Sequence, residues 1–421
     1  LDKRQAHLDE DLAQFQYVNG DLFSEHLGFT DFNRPMRDAL LECCGKNWDE
    51  ISPAIFGSLF QSIMQPKERR QIGAHYTSER DILKVARSLF LDDLRAEFET
   101  RKRDKSTGRI ARLEEFHKKL CSLRFLDPAC GCGNFLVITY RELRQLELET
   151  LQELYGGAHG TERGTQKELT LDEINRLSAV DVHQFYGIEI EEWPSRIAEV
   201  AMWLMDHQMN VKISEVFGQL YQRLPLKKST HIHCANALQA DWKKILPPAQ
   251  CSYVLGNPPF VGKQYMTSEQ NADMETVCGQ VKGHGLLDFV TAWYFKAAEY
   301  IKSTQIVVGF VSTNSITQGE QVGILWNALF QHGLKIHFGH RTFPWESEAR
   351  GKAHVHVVII GFAVFDSMNK RIYDYESESV TVVKAKNISP YLVEGSDKVV
   401  TKSSKPLSKD VSEIAFGNMP N

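Results

Sequence analysis

Residues 255–260 read Leu-Gly-Asn-Pro-Pro-Phe and end an apolar run that begins at Cys251. A short apolar run bounded by turn residues predicts a buried strand, and the two prolines stiffen the turn that follows it. Such a turn directs the Asn257 amide, backbone carbonyls and the Phe260 ring into the space above a sheet. The stretch therefore predicts a site for a flat base at the end of a buried strand.

The residues of this turn suit chemistry on an exocyclic amine. The lone pair of such an amine is delocalised into the aromatic ring, which makes the nitrogen a poor nucleophile. Acceptors on both N–H bonds, here the Asn257 side-chain oxygen and the Pro258 carbonyl, would draw the nitrogen toward sp3 geometry and restore the lone pair. Pro259 keeps the turn rigid, and Phe260 would stack on the base. The alternative is an ordinary Asn-Pro turn with one aromatic side chain in the core.

A second signal lies upstream at residues 125–136, which read Phe-Leu-Asp-Pro-Ala-Cys-Gly-Cys-Gly-Asn-Phe-Leu. A short apolar strand ends at Asp127, and Gly131 and Gly133 let the backbone approach a ligand closely before a helix begins. Leu136 stands where a dinucleotide fingerprint has its third glycine, which argues against NAD. The carboxylate of Asp127 instead suits the cationic amino and sulfonium ends of S-adenosylmethionine.

A later acid fits the same cofactor. In a Rossmann unit the carboxylate that holds the ribose hydroxyls ends the second strand, which makes Glu189 the candidate for that role. Its separation from Asp127 exceeds the usual spacing of about 20 residues, and we assign the excess to an insertion over that crossover.

The segment 73–79, Gly-Ala-His-Tyr-Thr-Ser-Glu, has two interpretations. Ser78 and Asp81 fit a capping box at the start of an amphipathic helix. Tyr76 and Thr77 lie on a Gly-preceded loop ahead of that helix and could reach a small polar cofactor. The sequence leaves both interpretations open.

Composition narrows the possible partners and the compartment. Lys plus Arg is 49 against 54 for Asp plus Glu, a formal charge of −5, so composition gives no support for nucleic-acid binding. The basic run 101–119 is typical of a solvated helix face, with a phosphate track as the alternative.

The eight Cys residues lack metal-ligand spacing, so we expect reduced thiols and no metal site. No signal peptide is visible, and the longest apolar run, 357–365, is too short to span a bilayer. We therefore expect a cytoplasmic protein that does not associate with a membrane.

The 421 residues divide into three predicted parts. Residues 1–70 have helical spacing of apolar side chains and form a predicted helical connector domain. Residues 71–365 carry both motifs and alternate strands with helices. Residues 366–421 are charged and Ser-rich, which indicates a linker. Because the chain begins at Leu1 rather than Met, we expect a fragment of a longer polypeptide.

The order of these motifs over residues 73–362 resembles that of the gamma-class DNA adenine-N6 methyltransferases. The resemblance implies an α/β fold with a class I methyltransferase Rossmann-like sheet, S-adenosylmethionine as cofactor, and adenine N6 of double-stranded DNA as acceptor. The cofactor residues it implies are Tyr76, Thr77, Asp127, Ala129, Gly131, Gly133, Asn134, Phe135, Glu189, Asn236 and Asn257. The catalytic residues it implies are Asn257, Pro258, Pro259, Phe260 and Phe343, the last as a second aromatic wall for a flipped base.

Two positions depart from the family pattern. Cys132 replaces the usual Ser or Thr and is still small. Asn236 stands where the family usually has an Asp that binds the cofactor's adenine amine, and its amide oxygen could accept the same hydrogen bond. Asp241 is a weaker candidate for that contact.

The runs 17–20, 51–57, 73–77 and 341–343 resemble the methyltransferase part of Type IIG/IIL (MmeI-like) restriction-modification enzymes. That resemblance implies nuclease and target-recognition domains on the same full-length polypeptide. The same catalytic turn also supports N4-cytosine or protein-glutamine methylation. A catalytically silent DNA-binding or scaffold module is the third hypothesis.

Overall fold

The computed structural model describes residues 31–46, 51–53, 55, 57, 77–156, 178–217, 230–345, 355–375 and 380–401. Its strands are β1 Phe125–Asp127, β2 Phe185–Glu189, β3 His231–Cys234, β4 Tyr253–Gly256, β5 Val307–Thr313, β6 Lys335–Trp345, β7 Val355–Ala363, β8 Lys370–Asp374 and β9 Thr381–Ala385. Its α-helices are α1 Arg34–Cys44, α2 Glu79–Ala86, α3 Asp92–Arg103, α4 Arg109–Ser122, α5 Asn134–Tyr155, α6 Glu192–Phe217, α7 Trp242–Ile245, α8 Ser268–Cys278, α9 Thr291–Tyr300 and α10 Glu320–Gln331. A π-helical turn, Arg87–Leu91, joins α2 to α3.

The strands form one sheet in the order β3-β2-β1-β4-β5-β7-β6-β8-β9. The strands from β3 to β5 in that order are parallel, and β7 runs antiparallel between β5 and β6. The chain moves outward from β1 to β3 and then returns to β4 on the other side of β1. Ligands of open α/β sheets bind at such a reversal, outside the carboxyl ends of the strands. The predicted α/β fold with a Rossmann-like sheet is confirmed.

An aromatic stack lies at the amino ends of the central strands, opposite the carboxyl edge. The ring of Phe125 on β1 lies 5.0 Å from that of Phe185 on β2 and 5.6 Å from that of Tyr253 on β4. Because β1 is buried along its whole length, its side chains are apolar except for the terminal Asp127. The one acid of the strand is thus placed at its carboxyl end.

A buried polar network lies in the helical layer, between α4, α5 and the segment before β2. Arg144 and Glu147 of α5 are fully buried and form an ion pair of 3.0 Å. Oε1 of Glu147 also accepts hydrogen bonds from the backbone N–H groups of Ala179 and Val180, at 2.7 and 2.9 Å. The network therefore ties α5 to the chain that enters β2.

His117 and Cys121 of α4 meet Glu147 in a cluster with metal-type ligand atoms. His117 Nε2 lies 3.0 Å from the Glu147 carboxylate and 3.6 Å from the Cys121 sulfur. Arg144 already places a positive charge on the same carboxylate. We therefore interpret the cluster as part of the ion network and not as a metal centre.

The basic run of α3 and α4 is paired with acids of the same helical layer. Arg101 lies 2.7 Å from Glu97, Lys119 lies 2.6 Å from the same carboxylate, and Lys102 lies 3.1 Å from Glu153. These contacts favour the solvated helix face over the phosphate track, because the positive charges are compensated within the chain.

Two strands follow residue 365, where the sequence predicts a linker to begin. Strand β8 pairs with β6 and strand β9 pairs with β8, so residues 370–385 belong to the sheet. Most of residues 1–70 and residues 402–421 lie outside the described residues, and the three-part division stays a prediction. In the described part of the chain, no helix is long and apolar enough to cross a membrane.

Candidate functional site

The turn after β4 meets the segment before α2. Asn257 Nδ2 donates a hydrogen bond of 3.1 Å to Thr77 Oγ1, across 180 residues of sequence. Because the amide nitrogen is held on the Thr77 side, the side-chain oxygen lies on the opposite side of the amide group. This arrangement leaves Asn257 with the donor and acceptor orientation that its predicted role requires.

Both interpretations of the loop before α2 are compatible with the structure. Ser78 is the N-cap of α2, since its hydroxyl accepts a hydrogen bond of 3.3 Å from the Asp81 N–H. Thr77, one residue earlier, is buried and contacts the catalytic turn. Tyr76, the other predicted ligand contact of this loop, lies outside the described residues.

The prolines and the aromatic ring of the catalytic turn are packed against the sheet edge. Pro258 and Phe260 are buried, and Pro259 is partly exposed. The Val261 carbonyl, next in the chain, accepts a hydrogen bond of 3.0 Å from the Phe289 N–H. The turn is thus fixed at its end by the segment that leads into α9.

Asp127 is the most confined polar group of the site. It is fully buried, and its Oδ1 accepts a hydrogen bond of 3.0 Å from the Ala129 N–H. Its Oδ2 is also buried and has no hydrogen-bond partner among the described residues. Burial and, to a smaller extent, the nearby Glu189 raise the pKa of this carboxyl to about 8, although the hydrogen bond from the Ala129 N–H opposes the shift. A buried carboxylate oxygen without a partner suits a cationic ligand group.

Gly256 brings this carboxylate next to the catalytic turn. A Cβ atom at Gly256 would lie only 2.5 Å from Asp127 Oδ1, closer than any real contact allows. The glycine before Asn257 therefore makes room for the Asp127 carboxylate. The cofactor motif and the acceptor motif are in van der Waals contact at this point.

The turn between β1 and α5 depends on two glycines. Gly131 has φ +54° and Gly133 has φ +82°, the left-handed region that favours glycine. A Cβ atom at Gly133 would lie 2.9 Å from the Ala198 side chain of α6. The next residue, Asn134, begins α5, and its buried Oδ1 has no hydrogen-bond partner among the described residues. Phe135 follows it and is buried.

Glu189 closes this turn from the neighbouring strand. Its carboxylate accepts hydrogen bonds of 2.9 Å from the Gly131 N–H and 2.9 Å from the Glu191 N–H. Burial raises the pKa of Glu189, although these N–H groups oppose the shift. The acid at the end of β2 thus lies directly beside the Gly-x-Gly turn, as its predicted role requires.

Asn236 lies beside Glu189, and Asp241 has another function. The Ala235 N–H donates a hydrogen bond of 2.7 Å to the Glu189 carbonyl, which holds the loop after β3 against β2. Asp241 is exposed and caps α7 by accepting a hydrogen bond of 3.1 Å from the Lys243 N–H. The structure therefore favours Asn236 over Asp241 as the contact to an adenine amine.

The sequence reasoning missed Asp273. It lies on α8, which begins at Ser268, and the capping box of Thr267 and Gln270 is a sequence signal for the start of that helix. Asp273 of α8 is buried and accepts a hydrogen bond of 2.8 Å from Asn236 Nδ2. Nothing in the local sequence indicates that pairing, because the two residues come from different segments.

Phe343 is placed in β6 and is only 2% exposed. The Lys84 ammonium lies 4.1 Å from its ring centroid, and the Tyr375 ring lies 4.7 Å from it. Lys84 is held by an ion pair of 2.6 Å with Asp81 on the helix that follows Thr77. The ring is covered in this conformation, so its role as a wall for a flipped base stays a prediction.

The polar groups at this edge fit S-adenosylmethionine. The unpartnered Oδ2 of Asp127 suits the ammonium group, Glu189 suits the ribose hydroxyls, and Asn236 suits the adenine amine. These groups follow β1, β2 and β3 in turn, which are neighbours in the sheet. The order of these three groups across the sheet therefore matches the order of the ammonium, ribose and adenine groups along the cofactor.

Comparisons with known proteins find one matching family model and similar proteins. Residues 99–374 match the family model described as the MmeI DNA-methyltransferase domain. The chain is 40% identical over 417 residues to DNA methyltransferase A of Bacillus subtilis (strain 168), covering 97% of this chain and 45% of that protein. The solved structure of the Type IIL restriction-modification enzyme MmeI in complex with DNA is similar, with a TM-score of 0.89 and 54% identity, covering 97% of this chain and 53% of that chain. The chain thus spans about half the length of these relatives.

Proposed function

The chain belongs to the MmeI DNA-methyltransferase domain family, and from that premise we propose that it methylates adenine N6 in double-stranded DNA, with S-adenosylmethionine as donor. The observation that carries the proposal is the contact between Gly256 and Asp127. It places the predicted acceptor turn against the predicted cofactor carboxylate. A methyl transfer needs its donor and acceptor sites adjacent in this way.

When bound, S-adenosylmethionine supplies an electrophilic methyl group on its sulfonium. Asn257 Oδ1 and the Pro258 carbonyl accept hydrogen bonds from the two N–H groups of the target amine. These hydrogen bonds increase the nucleophilicity of its nitrogen. Held in this way, the nitrogen would take the methyl group that the bound cofactor supplies, and the proton that the amine then loses would pass to solvent. Asp127 and Glu189 hold the cofactor, and Thr77 orients the Asn257 amide.

No covalent enzyme intermediate is needed, and the cysteines of the cofactor turn are unsuited to form one. Burial raises the pKa of Cys132 to about 12 and that of Cys130 well above its usual value. Both thiols stay protonated at neutral pH, and only a thiolate is an effective nucleophile. Their role is to fill space behind the glycine turn.

The target base has to leave the duplex before Asn257 can reach it. Flipping costs a few kcal/mol, and stacking on an aromatic ring recovers about 1 to 3 kcal/mol per base. Phe260 and Phe343 are the rings that we assign to this contact. Stacking offsets the cost of extrusion without deciding it, so further DNA contacts are required.

We propose that those contacts come from other parts of a restriction-modification protein. The formal charge of this chain is −5, and the basic run of α3 and α4 is compensated internally. Nuclease and target-recognition domains on the same full-length polypeptide would supply the missing positive surface. We expect such a protein in the cytoplasm, where its DNA substrate lies.

The experiment expresses the full-length gene in a bacterial host without DNA methylation and maps modified bases by single-molecule sequencing. We expect N6-methyladenine at one short motif with the wild type and with an Asn369→Ala control, whose residue is exposed in the loop before β8. We expect none with Asn257→Ala, while that variant keeps its melting temperature.

Two outcomes would overturn parts of this proposal. Full modification by Asn257→Ala would remove that residue from the mechanism. Absence of any modified base with the wild type would exclude the DNA substrate and favour the protein-glutamine or silent-module hypothesis.

A further inference from the structure

Asp273 lies where the segment after the catalytic turn meets the loop after β3. It is 7% exposed, and each of its carboxylate oxygens accepts a hydrogen bond from a side-chain amide. The donors are Asn236 Nδ2 at 2.8 Å and Gln239 Nε2 at 2.9 Å. A buried carboxylate with two amide donors is a fixed acceptor and not a solvent-exposed charge.

The contacts of Asn236 determine which way its amide group faces. An asparagine amide has a donor end and an acceptor end, which a rotation of the group by half a turn exchanges. Asp273 accepts at the nitrogen end, and the Leu238 N–H donates to the oxygen end at 2.9 Å. Because a carboxylate can only accept and an N–H can only donate, both contacts require the same orientation.

We propose that Asp273 is a positioning residue that fixes the Asn236 amide, so that the site selects a purine with a 6-amino group. The inference rests on the proposed function, in which Asn236 binds the cofactor's adenine amine. The second lone pair of the Asn236 oxygen accepts a hydrogen bond from that amine. A 6-oxo purine presents an acceptor at the same point and is rejected.

Asp273 also connects the adenine end of the site to the acceptor end. Helix α8 begins eleven residues after Asn257, within the segment that leaves the catalytic turn. Lys263, between the two, donates a hydrogen bond from its ammonium to Asn271 Oδ1 at 2.7 Å. Asp273 therefore lies on a helix that follows the turn predicted to bind the target base, yet a change at Asp273 affects which cofactor is bound.

A purely structural role for Asp273 would make a different prediction. If Asp273 only held α8 against the loop, its loss would weaken the binding of adenine and 6-oxo cofactors by the same factor. The ratio of the two affinities separates the roles, because only a positioning residue changes which purine is preferred.

The test measures the binding of S-adenosylhomocysteine and of S-inosylhomocysteine to the full-length protein by calorimetry. We expect the wild type to prefer the adenine compound by about tenfold or more, since a site built to hydrogen-bond a polar group rejects analogues that lack it. In Asp273→Ala only the Leu238 N–H still holds the amide, so the reversed orientation becomes more accessible, and we expect the preference to fall by about threefold or more. Asp273→Asn, which keeps the side-chain volume, should lie between the two.

Glu269→Gln on the same helix is the matched control, because Glu269 is exposed and the change also converts an acid to an amide. We expect it to keep the wild-type ratio. An unchanged ratio in both Asp273 variants, or a wild type that does not discriminate, would overturn the inference and leave the proposed function standing. A wild type that binds neither compound would overturn the proposed function itself. If Asp273→Ala does not fold, the ratio in Asp273→Asn decides.

Discussion

Glu147 and Asp127 are equally buried, but they differ in their hydrogen-bond and charge partners. Glu147 in the helical layer accepts hydrogen bonds from backbone N–H groups and pairs with Arg144. Asp127 at the carboxyl edge of the sheet has one backbone donor, and its second oxygen has no partner among the described residues. The first carboxylate has its hydrogen-bond and charge partners within the fold, whereas the second keeps one oxygen that a cationic ligand could contact.

The pKa values of the two acids diverge for the same reason. Burial alone would raise the pKa of Glu147, but Arg144 and His117 outweigh it and hold that pKa below its usual value. Burial raises the pKa of Asp127 to about 8, because no positive charge among the described residues compensates it. Burial of a carboxylate therefore does not by itself indicate a functional site. Burial of a carboxylate whose charge no neighbouring group compensates does indicate a candidate site.

The largest effect is expected at Glu147. Glu147→Gln removes the negative charge beside Arg144 and leaves that guanidinium buried without its counterion. Breaking a buried ion pair in this way costs about 3 to 5 kcal/mol of unfolding free energy. Urea denaturation of the full-length protein measures it, with Glu149→Gln on the partly exposed face of the same helix as control. A loss below about 1 kcal/mol would mean that the network is not a structural element.

The opposite result is expected at Asp127. Asp127→Asn replaces a carboxyl that is mostly protonated near pH 7 in the ligand-free fold, so the unfolding free energy at pH 7 should stay within about 1 kcal/mol of the wild type or rise. Binding of S-adenosylhomocysteine should weaken about a hundredfold, since the carboxylate is the partner of its ammonium. Calorimetry and denaturation of the same variant measure both. A loss of stability comparable to that of Glu147→Gln would abolish the distinction between the two acids.

The pH dependence of binding follows from the same carboxyl. Its pKa in the folded protein is about 8, above the ordinary 3.8, so it destabilises the fold as pH rises through that interval. Near pH 7 it is mostly protonated, and a cationic ligand requires the carboxylate. We therefore expect a proton to be released on binding, and affinity to rise up to about tenfold per pH unit toward pH 8. Calorimetry in two buffers of different ionisation enthalpy detects the proton, and Asp127→Asn should remove that component.

A smaller effect is expected at Gly256. A Cβ atom there would lie 2.5 Å from Asp127 Oδ1 and has to displace the carboxylate. We expect Gly256→Ala to weaken binding of S-adenosylhomocysteine by about tenfold, because a displaced carboxylate still lies near the ligand. Gly262→Ala is the control, since its Cβ would meet Tyr265 at an ordinary 3.6 Å. Equal affinities for the two variants would show that the position of the Asp127 carboxylate is not critical.

The sequence is informative where the chemistry is local. Asp127, the two glycines of its turn and Asn257 each follow a short apolar strand, and strand-end motifs place their own residues at the carboxyl edge. Glu189 was assigned from the same rule despite the long segment before it. These residues lie at one edge of the sheet as predicted, while their roles in catalysis and binding stay predictions.

Contacts between distant segments were not predictable in the same way. Thr77 meets Asn257 across 180 residues, and Asp273 meets Asn236 across 37. From the sequence, Arg144 and Glu147 are ordinary residues of an amphipathic helix. The residues around them in the sequence do not indicate that the segment 178–180 covers their side chains. Such pairings depend on the packing of whole elements, which periodicity does not encode.

Identifying the atom that receives the methyl group shows whether this chain methylates adenine N6, as we propose. The full-length protein is incubated with double-stranded DNA and S-adenosylmethionine that carries a trideuterated methyl group, and the digested DNA and the protein fraction are analysed by mass spectrometry. We expect the label on N6-methyladenine with the wild type and on no nucleoside with Asn257→Ala. Label on N4-methylcytosine, on a glutamine side chain, or nowhere with the wild type would contradict the claim.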